Sequence, residues 1–141
     1  MMATKNQAIG IFDSGIGGLT VAHAVATRLP HENIIYIGDT AHLPYGDKSA
    51  ETIRHYVHHI VDILLAKNCK LILVACNSAT AAAYDYLEHY LANRAELLGV
   101  IAPVVAYIAA HHADRAVGLI GTRQTVDSGV FKKQLQAQIT T

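Results

Sequence analysis

Five short apolar runs, spaced so that a helix fits between one and the next, constrain the fold of this chain more than any other feature. They are "AIGIF" (8–12), "IIYIG" (34–38), "LILVA" (71–75), "LLGVI" (97–101) and "AVGLIG" (116–121). Runs this short and this rich in Ile, Leu and Val read as buried strands. The first intervening segment places Val21, Val25 and Leu29 at steps of four, with Ala22 and Ala26 beside them, and stops at Pro30. The second follows Ser49 as a helix N-cap, carries Glu51 in its first turn, and shows Ile53, Tyr56, Val57, Ile60 and Leu64 on one face. Crossovers long enough for a helix imply parallel strands with right-handed connections. The expected class is therefore α/β, three-layered, with a mostly parallel sheet and helices on both faces.

The remaining composition agrees with a buried sheet. Hydrophobic residues make up 52% of the 141 positions and charged residues 16%, and a chain of this size buries roughly 68–70% of its unfolded surface. Eleven Lys plus Arg balance eleven Asp plus Glu, and no basic block gives nucleic acid or an anionic membrane a reason to bind. The N-terminal apolar run is far too short for a signal-peptide core or a membrane span, so a cytoplasmic protein is expected. Cys69 and Cys76, the two cysteines, are expected as free thiols. Pro103 must close the fourth strand and lets a new helix begin, so a second lobe, if one starts, starts near residue 101. Residues 1–100 then form an N-terminal α/β lobe and 101–141 the opening of another, with too few elements to close its own core.

In an open parallel sheet, ligands collect beyond the carboxyl ends of the strands. The residues there are "DSGIGG" (13–18), "GDTAHLPYG" (38–46), "CNSAT" (76–80) and "GTRQT" (121–125). Gly15 and Gly17 share the spacing of the first two glycines of a dinucleotide fingerprint, and Asp39 stands where a ribose-binding acid would. Thr20 replaces the third glycine, however, and Asp13 would repel a phosphate. A carboxylate beside the Ser14 hydroxyl and a helix N-terminus suits a zwitterion better, which points to an amino acid.

Cys76 falls on the turn between the third strand and a helix that opens at Asn77 or Ser78. Most free cysteines are small buried hydrophobes, and Cys69 reads that way. At Cys76 the helix N-terminus favours a thiolate, with Asn77 and Ser78 as polar neighbours, so this thiol can serve as nucleophile or base. Nucleophilic hydrolysis would need a histidine, and only His42 lies on a strand-end loop. His55 and His59 are four apart, but an HExxH site would need Glu where Tyr56 stands, and no third ligand has zinc-site spacing. No metal is expected.

Taken together, "GIFDSGIGGLTV", "IYIGDTAHLPYGDKS", "LILVACNSATA" and "GLIGTRQTV" resemble, in order and spacing, the motifs of the glutamate racemases, cofactor-independent members of the aspartate/glutamate racemase superfamily. The resemblance spans essentially the whole chain. It implies interconversion of L- and D-glutamate, supplying D-glutamate for bacterial peptidoglycan, without a cofactor. It assigns Cys76 as one catalytic base, Asp13 and Ser14 to substrate binding, Pro44, Tyr45 and Gly46 to a substrate-facing loop, and Asn77, Ser78 and Thr125 to the carboxylate and ammonium. Ser78 stands where the family usually has Thr. Inverting a carbon takes a proton from one face and delivers another to the opposite face, so two acid/base groups must flank it. In the family a second cysteine, in a "GCTHYP"-like motif, completes the pair; this sequence lacks that motif, and Cys69 lies roughly 20 Å from Cys76 along the strand. Family members are nearly twice this length, so the chain is expected to be an N-terminal half, inactive alone and prone to homodimerise or self-associate through its uncovered sheet. The competing expectations are a non-catalytic binding or interaction module and, behind it, a nucleotide-binding domain.

Overall fold

The computed structural model describes residues 6–139, with the side chain of Ile139 left out. Four parallel strands, β1 (Ile9–Asp13), β2 (Ile34–Gly38), β3 (Leu71–Val74) and β4 (Glu96–Gly99), form one sheet in the order β2-β1-β3-β4. The pairing sets Asp13 opposite Gly38 and Phe12 opposite Val74. Strand order reverses between β1 and β3, so their carboxyl ends open side by side.

Helix α1 (Leu19–Arg28) covers one face of the sheet, while α2 (Ala50–Ala66) and α3 (Asn77–Leu91) cover the other. The larger core gathers Phe12, Ile72 and Val74 from the sheet with Ile53, Val57, Leu64, Leu87 and Leu91 from α2 and α3. As expected, Ser49 caps α2, its hydroxyl accepting from the Thr52 amide at 3.2 Å. On the other face Val21, Ala22 and Val25 of α1 pack against Ile11 and Tyr36. Leu29 departs from the expected stripe: it caps the helix end and stays 48% exposed. Leu98 on β4 is similarly open, at 51%.

Two local expectations change. The run 97–101 divides, with β4 ending at Gly99 and α4 (Ile101–His111) starting two residues on. Pro103 therefore sits in the first turn of α4, where a missing amide costs little. The run 116–121 forms no strand, and all of it is exposed, Ile120 fully. A strand needs a hydrogen-bonded neighbour, and no described strand lies alongside it. Beyond it come α5 (Arg123–Asp127) and α6 (Val130–Ile139), the latter packing Phe131 on Ile101 and Val105 in a small separate cluster. No described helix is long and apolar enough to cross a membrane.

Candidate active site

Asp13 is the last residue of β1, and its buried carboxylate turns back on the loop that follows. Oδ2 accepts the Gly18 amide at 2.8 Å, closing the turn into α1. Glycine is required at 18, because a Cβ there would lie 2.7 Å from the Asp13 Cβ. This contact bears on the nucleotide alternative, since the helix-opening amide that a phosphate would need is already held by the protein's own carboxylate. The Ser14 hydroxyl lies 3.5 Å from Asp13 Oδ1. Tyr36 steadies the same loop, its hydroxyl donating to the Gly15 carbonyl at 3.3 Å.

Cys76 closes β3 as the N-cap of α3. Its thiol donates to Ser14 Oγ at 3.5 Å, and its sulfur accepts the Ala79 amide at 3.4 Å. Asp13, Ser14 and Cys76, from two neighbouring strands, thus form one contiguous group. Burial pushes the Cys76 pKa up, and the nearby Asp13 charge adds to that, while the hydrogen bonds from Ser14 and Ala79 act in the opposite sense. Burial is the largest of these effects, so the pKa moves up, opposite to the lowering expected from the helix N-terminus.

A second group of hydroxyls adjoins it. Ser78 Oγ lies 2.8 Å from Thr122 Oγ1, which in turn lies 3.0 Å from the buried Thr125 hydroxyl. Gly46 presses against Thr122 so closely that a Cβ would sit 2.6 Å from the Thr122 Cβ, and its carbonyl accepts the Gln124 amide at 3.0 Å. Asn77, Thr122 and Thr125 line a cleft of about 770 Å³ whose far wall is apolar, including Val104, Ile108 and Leu119. Of the loop residues singled out from sequence, Pro44 is exposed, and Tyr45 is buried with its hydroxyl given to Asp39. What the loop presses against the Thr122 cap is Gly46.

Sequence reading passed over three residues that build this arrangement. Thr122 is the N-cap of α5, its hydroxyl accepting the Thr125 amide, a role visible in the pattern of Thr three residues ahead of Thr. Asp39 reads from sequence only as a ribose ligand, not as a loop anchor. Tyr36 gave no signal, because an aromatic within an apolar run reads as core. Among the described residues no three His, Cys, Asp or Glu side chains gather as a metal site; His55 and His59 stack edge to face instead.

The Asp/Glu/hydantoin racemase family model matches residues 19–141. The glutamate racemase of Streptococcus gordonii is 44% identical over 133 residues, covering 94% of this chain and 49% of the relative. Among solved structures, glutamate racemase isoform RacE1 from Bacillus anthracis superposes with a TM-score of 0.92 at 37% identity, over 97% of this chain and 51% of that one. The Francisella tularensis glutamate racemase, solved with D-glutamate, gives 0.88 at 36% identity, over 96% and 50%. The chain spans about half the length of the curated relatives it matches. A family match over most of the sequence, carried on the same parallel sheet, makes this chain a member of the Asp/Glu/hydantoin racemase family.

Proposed function

We propose that this chain carries one half of a glutamate racemase site, in which Cys76 exchanges a proton with one face of the glutamate Cα. The observation that carries this reading is the contact of Cys76 with Ser14 and of Ser14 with Asp13 at the paired ends of β1 and β3. Asp13 offers a carboxylate to the substrate ammonium. The N-terminus of α3, with Asn77, Ser78 and Thr125, offers dipole and hydroxyl groups to a carboxylate. A thiol protonated at rest is suited to deliver a proton. A substrate ammonium close by favours the thiolate and so brings the pKa back toward the working range for abstraction. No cofactor is invoked.

Residues 1–100 make up the lobe with this first acid/base group, and 101–141 open a second lobe whose wall would supply the opposing one. In this reading the product D-glutamate feeds bacterial peptidoglycan from the cytoplasm. The 141-residue chain alone racemises nothing, because one thiol cannot serve both faces of a carbon. A circular dichroism assay on L- and D-glutamate tests it, with the Streptococcus gordonii enzyme as positive control. Turnover by the isolated chain within roughly tenfold of that control would overturn the two-group reading, which asks each member for at least about a hundredfold.

A second reading, an interaction module, is favoured by the exposed apolar residues Val104, Leu119 and Ile120 lining the cleft, Tyr107 on α4 and Leu98 on the sheet. Such a surface promotes self-association, and light scattering at rising concentration reports it. A monomer throughout would remove this reading.

A further inference from the structure

We propose that Asp39 is a positioning residue: its carboxylate latches the 39–46 loop to α2 and thereby sets where Gly46 meets the Thr122 cap. Only the effect on glutamate binding rests on the function proposed above; the latch is a matter of geometry. The Asp39 side chain is 11% exposed and divides its oxygens between two partners on its own loop. Oδ2 accepts the Tyr45 hydroxyl at 2.5 Å, and His42 Nδ1 lies 2.8 Å from Oδ1 and 3.0 Å from Oδ2. Both partners then reach α2. The His42 ring stacks on Tyr56 with centroids 4.0 Å apart, and Tyr45, itself 1% exposed, packs on the same ring at 5.8 Å. The Asp39 amide also donates to the Asp13 carbonyl at 2.9 Å, so the latch is referenced to the end of β1.

From Tyr45 the chain passes directly into Gly46, which touches Thr122, whose hydroxyl meets Ser78 on the first turn of α3. One carboxylate therefore registers β1, α2, α3 and α5 against one another around Cys76. Tyr45 suits the task because burial, and then the bond to Asp39, push its pKa up, keeping its hydroxyl a donor across the accessible pH range. Without Asp39 the buried hydroxyl loses its acceptor and His42 its anchor.

The test is amide hydrogen exchange by NMR on the 141-residue chain, read at Gln124, which donates to the Gly46 carbonyl, and at Ala75, which donates to Phe12 within the sheet. Asp39→Ala should speed exchange at Gln124 by roughly tenfold or more, as expected for losing a hydrogen bond to a charged group, and leave Ala75 within about twofold. Asp39→Asn keeps an acceptor for Tyr45 and should return Gln124 to within about threefold of the parent. Tyr45→Phe, which keeps the ring, should shift Gln124 in the same direction as Asp39→Ala and carries the readout if Asp39→Ala does not fold. Unchanged Gln124 exchange in the folded variants overturns the proposal, as does equal acceleration at Ala75, which would make Asp39 a residue of general stability. In a glutamate titration of the same samples, the latch predicts weaker binding in Asp39→Ala by a similar factor. If the parent chain shows no glutamate-induced shifts, the glutamate reading fails while Gln124 still decides the latch.

Discussion

Gly38→Ala is the substitution whose consequence the structure defines most sharply. Gly38 ends β2 opposite Asp13, and a Cβ built on it would lie 2.2 Å from the Gly15 carbonyl oxygen, against the 3.4 Å at which ordinary contact begins. The obstacle is backbone, so no rotamer change relieves it. The 13–18 loop must shift by about 1 Å, and overpacking of this kind costs about 1–3 kcal/mol. The same shift pulls the Gly15 carbonyl from the Tyr36 hydroxyl that it accepts at 3.3 Å, adding about 1 kcal/mol. The expected total of about 2–4 kcal/mol corresponds to roughly 30- to 700-fold in the folding equilibrium. Urea denaturation measures it directly, given unchanged slopes. The matched control is Gly118→Ala, where no heavy atom lies within 4 Å of the added methyl, and the expectation runs from no change to about 1 kcal/mol of stabilisation. The displaced loop also carries Ser14, so Gly38→Ala should raise the rate of Cys76 alkylation relative to the parent. A stability within about 0.5 kcal/mol of the Gly118→Ala control would refute the reasoning, because the loop would then be free to yield without cost.

Leu87→Ala removes a fully buried side chain from the larger core and should cost about 2–5 kcal/mol in urea denaturation; a loss under about 1 kcal/mol would mean that α3 collapses onto the gap. Iodoacetamide alkylation of Cys76, resolved from Cys69 by peptide mapping, should rise with pH through a midpoint above the ordinary cysteine value of about 8.5, because burial raises its pKa. The sign follows for stability as well. With the folded value above the unfolded one, the stability contributed by the protonated thiol is complete below the unfolded pKa and is lost as pH climbs through the folded one. A midpoint at or below the ordinary value would show that the α3 dipole outweighs desolvation after all.

The α/β class, the parallel pairing and the positions of α1 to α3 were legible in the sequence, because a strand buried on both faces must be apolar throughout and a covering helix must be apolar every third or fourth residue. The Ser49 cap was legible for the same local reason, since capping is settled within three residues. Asp13, Ser14 and Cys76 could be named from sequence because parallel strands point their carboxyl ends the same way, so residues far apart in number share one rim. Tertiary structure decided what depends on partners distant in the chain. The apolar run 116–121 has strand composition, yet strand structure resides in hydrogen bonds to a neighbour, and no described strand lies beside it. The upward pKa shift of Cys76 comes chiefly from how much of the fold closes over it, which the helix start displayed by the sequence does not reveal. The link from Asp39 through Tyr45 and Gly46 to Thr122 and Ser78 joins three separate segments. Nothing in the local context of any one of them says that they meet, and only their packing gives the group its geometry.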